Sequence, residues 1–463
     1  MQFLLGILFL THFTFAIDLS PIKNDLKKSI DKAPGKSSEY SLWVGQDDGT
    51  AIFAVNESTK RIPASLTKIF TAGTVLKKIP VTRRFLTEVW ANKDLPENSL
   101  CLKGGGDPTF VSETMWVLVN NLARSGIKSV KQGIIVDDTL FDKQYIDRSR
   151  ESVRVDRAYD APVSAMSFNW NSVNVIVRPG VTAGSLASVF LDPETKYVQL
   201  KSGVKTIAKG KERLSVERKN LKPFGDLIEA SGEFLMGASE KIIYKNISDP
   251  PLWSGYAFIE FLAQRGIKVG GDVKVGSCPS DFEMVAKSES WPLSSVVADM
   301  MKFSNNYVAE MLTKHLSNPS SANPGSLEGG LAKIREVIEE SGVDKNDYVL
   351  INPSGLTRKN QFTAKDMGRF LQFIQRDFQI FPEFLASFPI SGQDGTLKNR
   401  MSNPPAKGWI RAKTGMLNGA IGLAGFAGRQ SGEIITFVFI YNGSTDTFRV
   451  RDYFDQLAEI LVR

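Results

Sequence analysis

Histidine is almost missing from this chain: its 463 residues include His12 and His315 and no other. His12 falls inside an apolar leader, so a Ser-His-Asp triad would depend on His315 alone. The same scarcity excludes a zinc site of the usual histidine-rich kind. Cysteine is as rare, with only Cys101 and Cys278, and their spacing forms no metal motif. They are compatible with one disulfide or with two free thiols, because sequence alone does not bring two Cα atoms within bridging distance. There is no apolar run long enough to span a bilayer. There is also no basic run interleaved with aromatics, which argues against nucleic acid as a partner. Whatever chemistry occurs here must use a base other than the familiar imidazole.

What is present is ordinary globular composition, 42% hydrophobic and 23% charged, over a length that predicts two or three domains. Residues 1–16, MQFLLGILFLTHFTFA, carry a short apolar run followed by Thr14 and Ala16 ahead of Ile17. That pattern predicts a secretory signal peptide, and hence a mature protein that is periplasmic or otherwise extracytoplasmic. The net charge of +7 favours peripheral contact with anionic wall polymers or membrane surfaces, although diffuse charge is equally a solvated surface.

Residues 18–33 read as an amphipathic helix, and SEYSLWVG and TAIFAVN flank QDDG as a hairpin. Leu66, Ile69, Phe70, Gly73 and Leu76 then share one face of a helix bounded by Pro63 and Pro80. Near the end, GWIRAKTGML and GEIITFVFIYN read as strands before a last helix over 445–461. Helical patterns also fall at 294–315, 331–341 and 363–375. Between them, residues 88–285 carry short β-like runs, turns such as GGGDP, and few long helices. The expected fold class is therefore α/β (α+β), an antiparallel sheet flanked by helices. One domain, 17–87 with 286–463, is split by two small β-rich modules, about 88–165 with 250–285, and 166–249.

Ser65-Leu66-Thr67-Lys68 is an S-x-x-K motif. A serine hydroxyl needs a base to become a nucleophile, and a lysine one helical turn on lies within reach. Lysine serves only if burial or a neighbouring cation lowers its pKa. The motif also occurs at Ser20, Ser125 and Ser202, and Ser65 alone reads equally as a helix N-cap. Ser65 differs in opening an apolar-faced helix behind a hairpin. Lys413-Thr414-Gly415 occurs once, in a strand-like segment, where an edge-strand lysine before a turn glycine is the plainer reading. S-x-N occurs at Ser167, Ser172, Ser304 and Ser321, and of these Ser304-Asn305-Asn306 lies in a helical stretch. The order Ser65, Ser304, Lys413 is that of the penicillin-recognising serine enzymes, and all three lie outside the insertion.

With these motifs the chain resembles the D-Ala-D-Ala carboxypeptidases/endopeptidases of the penicillin-binding protein 4 type (peptidase family S13). The likeness extends to GGGDPTF, YDAPVSAMSFNWNSVNV, NPSGLTRKN and SGQDGTLKNR, and to the long insertion itself. It implies a transpeptidase/β-lactamase-like domain, peptidoglycan stem peptides as substrate, β-lactam antibiotics as inhibitors, and no cofactor. It further implies that Ser65 attacks the carbonyl between the terminal D-alanines and Lys68 accepts its proton. Ser304 and Asn306 would complete the relay, while Lys413 and Thr414 of the K-T-G motif, with Gly415, bind the terminal carboxylate. Backbone N–H groups of Ser65 and Met416 would form the oxyanion hole. Met416 replaces the usual hydroxyl residue, Asn418 stands near an expected glutamine, and Asn352 stands where aspartate is common. Arg358 would line the pocket, and Asn169 and Asn171 fall in a segment resembling the stem-peptide side-chain pocket, although both asparagines read equally as turn residues. Two alternatives stay open: a β-lactamase or esterase of the same S-x-x-K class, and a non-catalytic cell-wall-binding protein. Against the first, no E-x-x-L-N string is present. Against the second, a binder has no need of Ser65, Lys68, Ser304, Asn306 and Lys413 together.

Overall fold

The computed structural model describes residues 19–46, 49–150, 156–320 and 322–463. The expected signal peptide lies outside these residues. Among them, no helix is long and apolar enough to cross a membrane.

The two ends of the chain build one antiparallel sheet. Its order is Ile410–Leu417, Ala420–Gly428, Ile434–Asn442, Tyr40–Gly45 and Ala51–Val55. Tyr40 pairs with Tyr441 and Lys413 with Ala424, so the strand that carries the K-T-G motif forms one edge of a sheet to which both ends of the chain contribute. Successive side chains of Ile434–Asn442 point to opposite faces. Phe437, Phe439 and Tyr441 enter a core with the helices Ser20–Ile30 and Thr447–Leu461. Val438 and Ile440 enter another core, formed with helices Lys68–Lys78, Leu293–Lys302, Asn306–Leu316 and Ala364–Gln375. Burial on both faces is why this strand reads as a continuous apolar run rather than an alternation. The helix Lys68–Lys78 is buried from Lys68 to Leu76 on all sides, not only on the one apolar face expected. It is the central helix of its layer.

The insertion is rich in β-strands, as expected, and adds two helices. It includes the helices Ser112–Arg124 and Pro250–Gln264, packed on a five-stranded sheet ordered Val273–Val275, Ile134–Asp137, Leu100–Gly104, Leu86–Asn92 and Phe282–Glu289. Two of its pairings are parallel. Pro250–Gln264 is buried on most sides, which blurs its helical period, whereas Ser112–Arg124 buries one stripe of Met115, Leu118, Val119 and Leu122. Strands Leu86–Asn92 and Phe282–Glu289 pair antiparallel and run across the expected limits at 88 and 285. Chain entry and exit are thus neighbours in one sheet. Two three-stranded sheets and a two-stranded one, Ser129–Val130 with Lys268–Val269, complete this half. Cys101 and Cys278 form a disulfide with Cα atoms 5.6 Å apart, which resolves the choice left open by the sequence.

His315 has a packing role. Its ring stacks on Phe85 and meets Phe141 edge-on, and Nε2 lies 2.9 Å from the Gly106 carbonyl. Burial pushes its pKa down to about 4. The unfolded chain therefore binds a proton that the folded chain refuses between about pH 6.5 and 4. The contribution of His315 to stability is complete above this window and is lost as pH falls through it. Because one edge of the ring reaches a cleft, the expected loss is on the order of 2 kcal/mol. Urea unfolding at pH 7 and pH 4.5, compared with His315→Phe, measures it: the variant should lack this share of the acid destabilisation.

Candidate active site

The turn that carries Ser65 is set by close backbone approach. Ser65 lies in a short 3-10 turn, Ala64–Thr67, immediately before the helix that Lys68 begins. Ala64 adopts a left-handed φ of 49°, a strained conformation for a residue with a side chain. Three glycines hold this turn by having no Cβ. One added at Gly355 would lie 1.9 Å from the Ala64 carbonyl oxygen, at Gly415 2.6 Å from that of Pro63, and at Gly422 2.5 Å from Leu66 Cδ1. The glycine of K-T-G thus faces the Ser65 turn and seats it on the sheet.

Ser304 is the second special position. The helical stretch expected over 294–315 is broken into Leu293–Lys302 and Asn306–Leu316. Between them Ser304 takes a φ of 58°, and the Asn305 side chain caps the second helix by accepting from the Val308 N–H. The break brings Ser304 Oγ to 2.8 Å from Lys413 Nζ.

Lys68 Nζ is fully buried, donates to Asn306 Oδ1 at 2.6 Å and the Ser354 carbonyl at 2.6 Å, and lies 3.2 Å from Ser65 Oγ. Burial drives its pKa well below the ordinary lysine value, and the nearby Lys413 pushes it the same way. Lys413, also fully buried, donates to the Thr414 carbonyl at 2.8 Å, and burial lowers its pKa to about 7. An uncharged amine beside a half-buried hydroxyl can take its proton. Lys413 remains a partial cation at neutrality, and an incoming carboxylate would favour its charged form. Asn306 Nδ2 donates to the Tyr159 carbonyl at 3.2 Å, and Thr414 Oγ1 donates to Thr396 Oγ1 at 2.9 Å.

Ser65, Lys68, Ser304, Asn306, Lys413 and Thr414 therefore converge on one cleft, drawn from positions as far apart as 65 and 414. A family model described as the D-Ala-D-Ala carboxypeptidase 3 (S13) family matches residues 23–463. The chain belongs to that family.

This S13 chain is 31% identical to a D-alanyl-D-alanine carboxypeptidase of Actinomadura sp. (strain R39), over 85% of this chain and 76% of the relative. Its fold is that of penicillin binding protein 4 (dacB) from Haemophilus influenzae, with a TM-score of 0.79 at 22% identity, covering 94% of this chain and 98% of the other. A second structure of that protein, complexed with a β-lactam, matches with a TM-score of 0.74 at 22% identity, covering 95% and 98%. The protein is thus a serine hydrolase of the D-Ala-D-Ala carboxypeptidase family, on the α+β fold of penicillin binding protein 4.

The remaining expected residues lie at the margins. Arg358 is exposed and its guanidinium donates to the Asn418 backbone carbonyl, while Met416 is 61% exposed. Asn169 lines a neighbouring cavity of about 520 Å³ that also touches Ser304 and Asn306. Its amide exchanges hydrogen bonds with Ser112, and Asn169, Trp170 and Asn171 all hold left-handed φ values near 50°. This strained turn presents Trp170 at the cavity, whereas Asn171 is buried and bonded to the Pro162 carbonyl. Sequence reasoning gave no role to Ser354 or Thr396, although both lie in segments it singled out. Glu310 and Arg150 were missed altogether.

The titration of Lys413 has a measurable consequence for this S13 chain. Above about pH 7 the free enzyme loses the charge that a substrate carboxylate would meet. The second-order rate of acylation by benzylpenicillin should then fall with rising pH, following the Lys413 deprotonation. Lys413→Ala should lower that rate about 10–100-fold at pH 7 and abolish the alkaline fall.

Proposed function

We propose that this protein is a serine D-alanyl-D-alanine carboxypeptidase/endopeptidase acting on peptidoglycan stem peptides, with Ser65 as nucleophile and Lys68 as its base. The observation that carries this reading is the fully buried Lys68 amine, depressed in pKa and 3.2 Å from Ser65 Oγ. Lys68 Nζ accepts the hydroxyl proton as Ser65 Oγ bonds to the carbonyl carbon between the two D-alanines. The developing oxyanion is held by the Ser65 and Met416 backbone N–H groups. Collapse breaks the C–N bond. The proton returns through Lys68 and Ser304 to the departing amine, so the D-alanine, or cross-linked peptide, leaves neutral at nitrogen. Water, deprotonated by the same amine, then hydrolyses the ester on Ser65.

Asn306 orients Lys68 and the substrate amide, and Lys413 with Thr414 and Gly415 receives the terminal carboxylate. With Met416 in place of a hydroxyl residue, one carboxylate contact is missing, which relaxes the demand for a free C-terminus. Arg358 and Asn418 border the same cleft, and Asn169 lies in the cavity that takes the stem-peptide side chain. We assign residues 1–16 to a signal peptide and the mature chain to the extracytoplasmic side, with the catalytic domain formed by 17–87 and 286–463 around inserted domains.

Mass spectrometry after incubation with benzylpenicillin, then with purified muropeptides, tests this reading. A penicilloyl adduct on the Ser65 peptide and release of D-alanine or cross-link cleavage are expected. Fast nitrocefin turnover would instead favour a β-lactamase, and absence of any adduct a wall-binding protein.

A further inference from the structure

Behind Lys68, on the side away from the cleft, lies a buried cluster that the proposed reaction does not use. Glu310 follows Asn306 by one helical turn and so shares its face. Its side chain is fully buried. The carboxylate accepts from Arg150 through Nε, at 3.0 Å, and through Nη2, and also from Asn352 Nδ2 at 3.2 Å and Ser354 Oγ at 3.3 Å. Asn352 Nδ2 also donates to Asp147 Oδ2 at 2.7 Å. The Asn352 Oδ1 accepts from the Ser354 N–H, the Ser354 hydroxyl and the Leu356 N–H. Ser354 is therefore gripped through both its N–H and its hydroxyl, and its carbonyl is the group that takes Lys68 Nζ at 2.6 Å.

We propose that Glu310, paired with Arg150, is a positioning residue for Lys68: the buried pair locks the Ser354 turn that aims the amine at Ser65, and keeps the two charges behind it in balance. This inference rests on Lys68 being the base.

Two arguments support it. With Asn306 Oδ1 and the Ser354 carbonyl fixed, the third direction around the nitrogen is the one left for Ser65 Oγ. The charges near the amine come from several elements: Lys413 on its strand, Glu310 on the Asn306 helix, Arg150 on the preceding segment, and Asp147 and Asp160 beyond Arg150. Burial acts first against the ammonium, then Lys413, while Glu310 favours it and Arg150 opposes it. An unbalanced Glu310 would keep the proton on Lys68. An unbalanced Arg150 would strip it too readily and weaken the base.

The test is the pH dependence of acylation by fluorescent penicillin, normalised to acylatable protein. Arg150→Met leaves the carboxylate unbalanced and should move the acid limb about one pH unit upward. Glu310→Gln leaves the guanidinium unbalanced and should move it about one unit downward. Arg150→Lys keeps the charge and should leave the limb in place. A merely structural role would not move the limb in opposite directions for the two partners. Limbs that stay fixed, or shift the same way, would overturn the proposal. Each single change strands a buried charge and is destabilising, whereas Arg150→Met with Glu310→Gln removes both. If only this double variant folds, it should keep the wild-type limb with a plateau about tenfold lower, because the Ser354 turn has lost its tether. A wild-type plateau in the double variant would contradict the proposal. A wild-type protein that takes no label would instead sink the assignment of Lys68.

Discussion

Ser65→Ala should take no label from benzylpenicillin and should lose peptidase activity by at least about 10⁴-fold. The loss is chemical rather than structural. Ser65 is half-buried and its hydroxyl bonds to Lys68, which keeps its other partners, Asn306 and Ser354, when the oxygen is removed. The expected change in stability is within about 1 kcal/mol. Intact-mass analysis with a thermal melt separates the two effects. A variant that still forms a covalent adduct would place the nucleophile elsewhere, and a variant that fails to melt cooperatively would make the loss uninformative.

Lys68→Met should lower the acylation rate by about 10³–10⁴-fold while leaving Ser65 in place. Methionine fills much of the same volume, but it leaves Asn306 Oδ1 and the Ser354 carbonyl without the amine, at a cost of about 1–3 kcal/mol each. Removing a buried ionisable group offsets part of that cost. The more telling partner is Lys68→Arg. Arginine keeps a positive charge and several donors, yet it does not deprotonate in a protein. If the amine works as a base, arginine should be as inactive as methionine at every pH. If it works only by attracting the hydroxyl or the substrate, arginine should retain a large share of the rate.

Much of this site was legible before any coordinate. The long apolar run of Ile434–Asn442 marks a strand buried on both faces, and the position of Lys413 on another strand follows from the K-T-G segment. The strand between them, Ala420–Gly428, was not anticipated. Its small residues lack a strand's usual signature because Gly422 must admit Leu66 of the nucleophile turn. The break at Ser304 was hidden for a related reason: apolar residues on both sides keep helical spacing, and only the left-handed backbone reveals the turn. Arg150 and Glu310 escaped detection because nothing local joins them. Their pairing exists only once the insertion folds against the Asn306 helix, as does the Asn352 bridge to Asp147. Residues proposed to carry the reaction thus sit in recognisable short strings, whereas those proposed to hold Lys68 from behind come together only through tertiary packing.

The central claim is that a neutral lysine amine activates a serine at neutral pH. Stopped-flow measurement of the Ser65 acylation rate by benzylpenicillin, from pH 4 to pH 10, tests it most directly. The burial of Lys68 and the proximity of Lys413 push its acid limb well below the ordinary lysine range, and the account predicts no further rise above neutrality. A rate that climbs about tenfold per pH unit up to pH 10 would mean that Lys68 is an ordinary ammonium in the resting enzyme, and would contradict the account.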